Sequence, residues 1–421
     1  MDDRDESAGG DPGGRALVTG LGVVAPNGLG TDRFWEATLR GRHGITPITR
    51  FDAAGYPAAL AGQVEGFDPR DHLPDRLLPQ TDLSTQLALV AADQALQDAK
   101  VDPAALTDYD MGVVTGNAAG GFDFTHREFD KLWSRGPQYV SVYESFAWFY
   151  AVNTGQVSIR HGMRGPSSSL VAEQASGLDA VGHARRTLRR GTPLVVTGGV
   201  DSALDPWGWA SHLSSGRVSR GTDPATAYRP FHAEAPGYVP GEGGAFLVVE
   251  REAAARARPA HQVYGEIAGY AATFDPPPGS ARPPGLRRAG ELALAEAGVA
   301  PEDVDLVVAD AAGSPDLDRA EAEALRALFG PGGVAVTAPK AATGRLLAGG
   351  GPLDVVVALL ALRDAVVPPT AGDPAVPDGY GIDLVRGEPR PAELTTALVW
   401  GRGRWGFNSA VVLRRAEPGT P

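Results

Sequence analysis

Residues 171–180 read VAEQASGLDA, and the fold turns on them. Just upstream, SSSLVAEQ (167–174) is a short β-prone run. Downstream, ASGLDAVGHARRTLRRG (175–191) has the apolar spacing of a helix closed by Gly191. A strand feeding a helix through a tight turn is the repeating unit of a parallel, helix-covered sheet. Such a turn often presents a nucleophile at the helix N-terminus, where the dipole favours negative charge. The residue at the apex here is Gln174, a neutral amide with no nucleophilic atom.

The same grammar runs along the chain. RALVTGLGVVAPNGLG (15–30) reads as a strand and a glycine-rich turn. Thr31 or Asp32 is then the expected N-cap of a short helix ending at Gly41. A helix is expected over 81–100, and strands over 110–117, 193–200 and 243–251. Beyond a joint near 252–262, strands are expected at 263–275, 303–313, 332–338 and 407–415, with helices at 287–299, 318–330 and 353–365. The pattern predicts an α/β protein of two similar halves, 15–258 and 259–416, after a loose tail at 1–14. SLVAEQ before ASGLDA and LVVADAA before DLDRAEA look like matching units. The Pro-rich pieces 275–285 and 366–379 read as surface loops.

Composition narrows the function. The net charge is −13 and no basic run stands out, which argues against nucleic-acid binding. No run of about 18 apolar residues exists to cross a membrane. The acidic start, MDDRDESAGGDPGG, is unlike a signal peptide, so a cytoplasmic protein is expected. The cysteine count is zero, which removes disulfides, thiolate metal sites and thiol nucleophiles together. Histidines occur at 43, 72, 126, 161, 183, 212, 232 and 261, and none follows His261. No metal site is expected. GLGVVAPNGLG lacks the glycine spacing of a dinucleotide loop, and TGGVD (197–201) lacks the lysine of a phosphate loop.

Four segments carry a resemblance: ALVTGLGVVAPNG near the start, SFAWFYAVNTGQ (145–156), AEQASGLDA (172–180) and GFNSAVV (406–412). Together and in this order they resemble the β-ketoacyl synthase family. More closely, the chain is similar to the β subunits, or chain length factors, of type II aromatic polyketide ketosynthases. The resemblance runs from about Arg15 to about Arg415. It implies the thiolase fold, a layered α-β-α-β-α arrangement of two α/β halves. Active members use a Cys on the strand-to-helix turn and two His, in an A-H-G-type and a K-x-x-x-G-H-type motif. Those positions fall here on Gln174, Asp310 and Arg345. An anion at 310 opposes developing enolate charge, and a guanidinium at 345 cannot serve as a base. Asp310 and Arg345 are expected to pair across the dead pocket. Lys340, Gly344, Asp318, Glu321 and Gly406 are retained scaffold positions.

The resemblance further implies a heterodimer with a catalytic ketosynthase α subunit. Its substrate travels on the phosphopantetheine of an acyl carrier protein, and the β subunit holds no cofactor of its own. The growing poly-β-keto chain enters a tunnel whose length the β subunit sets. The alternative is a malonyl-carrier-protein decarboxylase or priming subunit acting through Gln174. An independent condensing enzyme is disfavoured, because Ser167, Ser168 and Ser169 have no His placed to activate them.

Two segments suit tunnel and interface. In AAGGFDFTHREFDKLW (118–133), Phe122, Thr125 and Phe129 share a helix face, with His126 and Glu128 elsewhere around it. Periodicity alone gives core or interface residues; the resemblance implies a tunnel gate. SVYESFAWFYAVNTGQVSIRHG (141–162) packs Phe146, Trp148, Phe149 and Tyr150 close together. It is expected to contact the α subunit, with Asn153 and Gln156 fixing register. HARRTLRR (183–190) is read as a solvated helix end, with carrier-protein docking as the lesser option. Trp207, Trp209 and Trp405 are expected to pack or to line pockets.

Overall fold

The computed structural model describes residues 14–258, 262–277, 279–372 and 375–416. The expected tail thus lies, but for Gly14, outside the described residues. The main strands of the first half are β1 (Ala16–Ala25), β2 (Met111–Gly116), β3 (Ser167–Leu170), β4 (Leu194–Asp201) and β5 (Gly243–Arg251). Those of the second are β6 (Gly265–Phe274), β7 (Leu306–Val308), β8 (Ala335–Thr337), β9 (Asp383–Leu384), β10 (Thr396–Arg402) and β11 (Phe407–Arg415). The sheet order is β9-β8-β7-β10-β11-β6-β1-β5-β4-β2-β3.

Outward from the central β6–β1 pair, both halves follow one plan. β1–β5 and β5–β4 are antiparallel, then β4–β2 and β2–β3 are parallel. β6–β11 and β11–β10 are antiparallel, then β10–β7 and β7–β8 are parallel. The halves are therefore repeats, but not in the register expected from sequence. β7 corresponds to β2, and β8, which leads to Lys340, corresponds to β3, which leads to Gln174. LVVADAA and SLVAEQ are not equivalent units. Short strand–turn–helix units share one apolar pattern, and only strand pairing distinguishes them.

The helices make the layers. They are α1 (Thr31–Leu39), α2 (Leu83–Asp98), α3 (Phe122–Arg135), α4 (Val152–His161), α5 (Ser176–Arg189), α6 (Leu286–Ala297), α7 (Pro315–Phe329) and α8 (Gly350–Asp364). α5 and α8 pack between strands of both halves, α2 covers β1 and β5, and α6 covers β6 and β11. Every residue of α8 from Gly350 to Leu362 is buried, as an all-round apolar helix requires. α2 lies so close on β1 that a Cβ on Gly22 would sit 1.9 Å from the Ala91 carbonyl oxygen. Gly269 on β6 repeats this against Ala293 on α6, at 2.2 Å. At α1 the N-cap is Gly30, not Thr31 or Asp32; Thr31 is already helical and donates its hydroxyl to the Leu21 carbonyl at 3.3 Å. No helix among the described residues is long and apolar enough to cross a membrane.

Candidate functional site: a buried ion cluster beside an aromatic-lined cavity

The turn after β3 is strained. Glu173, one residue before the expected apex, is held at φ 55°, a region costly for any residue with a Cβ. Ser176 locks it by accepting from the Ala172 N–H at 2.6 Å and donating to the Glu173 carbonyl at 2.7 Å. Gln174 is buried at the head of α5. Its amide accepts from Nε of Arg345 and donates to the Leu347 carbonyl at 3.3 Å.

Asp310 and Arg345 pair as expected. Nη2 of Arg345 donates to Oδ1 of Asp310 at 3.0 Å, and Nη1 to the Asp310 carbonyl at 2.8 Å. A second guanidinium, not anticipated from the sequence, closes the cluster. Arg402 donates from its backbone N–H to Oδ1 of Asp310 at 2.9 Å and from Nε to Oδ2 at 3.1 Å. Burial opposes charge on Asp310, yet Arg345 and Arg402 hold its carboxyl far below the usual carboxylate range. Asp310 is thus a fixed anion, and Arg345 a fixed cation.

The scaffold positions explain how the pocket keeps its shape. Glu321 accepts from the N–H of Asp310 at 2.7 Å and of Ala311 at 2.9 Å, from Trp400 Nε1 at 2.7 Å and from Arg402 at 3.1 Å. Asp318 accepts from the N–H of Phe231 at 2.8 Å and of Gly313 at 3.0 Å. These bonds hold Ala311 at φ 49° and end β7 early, so residues expected in a strand to 313 form a loop instead. Lys340 donates to the Ala309 carbonyl and pairs with Asp354 at 2.6 Å. Gly406 sits at φ 100°, where a Cβ would meet the Asp275 Cβ at 2.9 Å. Among the described residues no cluster of His, Cys, Asp and Glu has the grouping of a metal site.

On α3, Phe122, Thr125 and Phe129 all line one cavity of about 610 Å³, together with Glu144, Trp148, Tyr150 and Trp207. Trp207 stacks into the same wall, 4.9 Å from the Phe122 ring centroid and 5.8 Å from that of Phe129. A second cavity of about 480 Å³ shares Phe122 and Tyr150 with the first. It shares Glu173, Tyr238, Arg404 and Trp405 with a third, of about 360 Å³, that contains Gln174, Asp310 and Arg345.

Segment 141–162 divides. Trp148, Phe149 and Tyr150 are 47%, 48% and 39% exposed, an aromatic surface on a protein that buries most of its apolar residues. Phe146 and Gln156 are half-buried. Asn153 does not face outward: it accepts from the Thr85 hydroxyl at 2.8 Å and donates to the Val200 carbonyl at 3.2 Å. Its register role is inside the subunit, because helical spacing turns it away from the aromatics towards α2 and β4.

The basic stretch 183–190 is partly spent within the chain. Arg185 is buried against Glu296 at 2.8 Å and the Ala268 carbonyl at 2.7 Å, and Arg186 lies 4.9 Å over the Tyr270 ring. Trp209 is fully buried, Trp207 lines the large cavity, and Trp405 is 75% exposed at the mouth of the degenerate pocket. Asp201, in TGGVD (197–201), carries no local sequence signal for its role, which rests on distant backbone amides. It accepts from the N–H groups of Ala118 at 3.0 Å, Ala119 at 3.2 Å and Ala348 at 2.9 Å, tying the cavity floor to the Gln174 pocket. Burial pushes its carboxyl up to about 7.

Comparison with known proteins agrees with this geometry. The family described as "Beta-ketoacyl synthase, N-terminal domain" matches residues 15–255, and "Beta-ketoacyl synthase, C-terminal domain" matches 264–372. The chain belongs to the β-ketoacyl synthase family. It is 70% identical to the β-ketoacyl synthase 2 assigned to the actinorhodin polyketide in Streptomyces coelicolor, over 96% of this chain and 99% of that one. It is 61% identical to the tetracenomycin polyketide synthase ketoacyl synthase β subunit of Streptomyces glaucescens, over 95% and 98%. Among solved structures, a type II polyketide synthase acyl carrier protein in complex with its ketosynthase bound to the hexaketide gives a TM-score of 0.86 at 25% identity, over 96% of this chain and 100% of that chain. The ishigamide ketosynthase/chain length factor shares the fold, with a TM-score of 0.88 at 23% identity, over 96% and 100%.

Proposed function

We propose that this chain is the non-catalytic β subunit, or chain length factor, of a type II polyketide ketosynthase. It pairs with a catalytic α subunit and bounds the space open to the growing poly-β-keto chain. The observation that carries this reading is the triad Gln174, Asp310 and Arg345. The three positions that need a nucleophile and two imidazoles hold an amide, an anion and a cation bonded to one another. No acyl group can be loaded there, so the chain acts through surfaces and shape. β3 supports the pairing: it is an edge strand with a free hydrogen-bonding side, flanked by Trp148, Phe149 and Val171, each about half exposed. The aromatic wall supports the length-setting role, because the Phe122 and Phe129 rings both pack, tilted, against Trp207, and packed rings cannot be displaced at small cost. Substrate arrives on the phosphopantetheine of an acyl carrier protein, and the complex works in the cytoplasm on aromatic, antibiotic-type polyketides.

A decarboxylase acting through Gln174 needs that amide free to meet a malonyl group. Arg345 and Leu347 already take its acceptor and donor.

The test uses the αβ complex purified with its carrier protein and malonyl donor. Phe129→Ala or Phe122→Ala should lengthen the product by at least one ketide, read by mass spectrometry of released products. Unchanged masses in both variants would refute the gate. Native mass spectrometry of the same preparation should give a one-to-one heterodimer; a homodimer indifferent to the α subunit would refute the partner reading.

A further inference from the structure

One oxygen of Glu173 does something the partner-subunit role does not require. Oε2 accepts from the backbone N–H of Gln174 at 2.8 Å and from the backbone N–H of Arg404 at 2.9 Å. Two amides converging on one oxygen at these distances is the geometry that stabilises the oxyanion of an acyl-transfer intermediate. The pair sits where such an oxyanion would form, beside the apex residue at the head of the 14-residue helix α5. It opens on both the 360 Å³ and the 480 Å³ cavities, which Glu173 lines. Glu173 reaches it by folding back onto its own neighbour from φ 55°. A side chain held in so strained a backbone position is fixed by what it bonds.

We propose that the amides of Gln174 and Arg404 form an intact oxyanion-binding pair, which this chain keeps filled with its own Glu173 carboxylate. The site would otherwise take the oxyanion formed by addition to a thioester, or a free carboxylate. The inference rests on reading 171–180 as a nucleophile turn without its nucleophile. The subunit is then silenced twice, by loss of the nucleophile and by an internal anion. Restoring the nucleophile alone restores only slow acylation.

The absence of cysteine makes this measurable, since Gln174→Cys introduces the only thiol in the chain. The αβ complex is incubated with the acetyl thioester of N-acetylcysteamine, and the intact mass of this chain is followed. The thiolate sulfur adds to the carbonyl carbon, the oxyanion collapses, and N-acetylcysteamine leaves as a thiolate that takes up a proton. The acetyl group remains on the new sulfur. Gln174→Cys alone should acetylate slowly. Adding Glu173→Ala or Glu173→Gly should speed acetylation by about 10²-fold, the effect of one effective oxyanion donor. The glycine variant also relieves the φ strain, so a folded form is available. Adding Glu173→Gln should stay slow, because its amide oxygen still fills the pair. Alkylation by iodoacetamide needs the thiolate but no oxyanion pair, and should change far less. Equal acceleration of both reactions would mean that Glu173 acts only on thiol ionisation, and would overturn the proposal. So would no acceleration of acetylation. Either failure in an intact heterodimer leaves the partner-subunit reading standing; a missing heterodimer counts against that reading instead.

Discussion

Asp310 acts as a structural residue, bonded on both carboxylate oxygens. It lies among two buried guanidinium groups, and the charges of Asp310 and Glu321 balance those of Arg345 and Arg402. Removing one member leaves a buried charge without its partner, at a cost of about 3–5 kcal/mol. Asp310→Ala should therefore lower the melting temperature of the complex markedly, and Asp310→Ala with Arg345→Met should recover part of the loss. An unchanged melting temperature in the single variant would show that the cluster does not stabilise. His212 makes a different prediction. It is buried beside Trp209, its Nε2 has no hydrogen-bond partner among the described residues, and it lines the middle cavity. Burial, helped by the Arg404 charge, lowers its pKa from 6.5 to about 4. The unfolded chain thus binds a proton more readily than the folded one between these values, so this group makes stability fall as pH drops through that window. Other buried acids titrate too, so the test is a difference. Relative to wild type, His212→Gln should gain about 2 kcal/mol between pH 7.5 and pH 5 in denaturant unfolding. A difference independent of pH would show that folding leaves the His212 pKa at its ordinary value.

At the scale of elements, the strand that ends the sheet matters most. β3 pairs with β2 on one side only, from Ser167 opposite Val113 to Leu170 opposite Gly116. The proposed contact with the α subunit uses this outer edge together with the exposed Val171 and Trp148. Val171→Lys places a charge at the core of that contact and should raise the dissociation constant of the heterodimer at least about tenfold. Titration by analytical ultracentrifugation would show it, and an unchanged constant would move the interface elsewhere. Elements differ in how far sequence reveals them. β5, β11 and the buried α8 were plain, since long apolar runs bounded by glycine or charge permit one reading. β7 and β8 keep only three residues each: after β7 the amides of Asp310, Ala311 and Gly313 go to Glu321 and Asp318, and after β8 the Ala338 amide goes to the Thr370 hydroxyl, rather than to strand neighbours.

At the scale of the whole molecule, two similar halves meet through β1 and β6 and enclose α5 and α8. The sequence by itself determined the α/β class, the alternation of strands and helices in both halves, and the helix face of Phe122, Thr125 and Phe129. These rest on residue identity or on periodicity within about 18 residues, where local geometry decides. The reading of Gln174, Asp310 and Arg345 as the places of a nucleophile and two imidazoles comes instead from the family resemblance. Only the tertiary structure decided which units of the two halves correspond. It alone brought Arg402 to Asp310 across 92 residues, turned Asn153 inward, set Trp207 against the α3 aromatics, and laid the Arg404 amide on Glu173 across 231 residues. Contacts at such separations leave no period in the chain. They follow from strand order and from the need of every buried charge and amide for a partner, and that need is met only when the layers close.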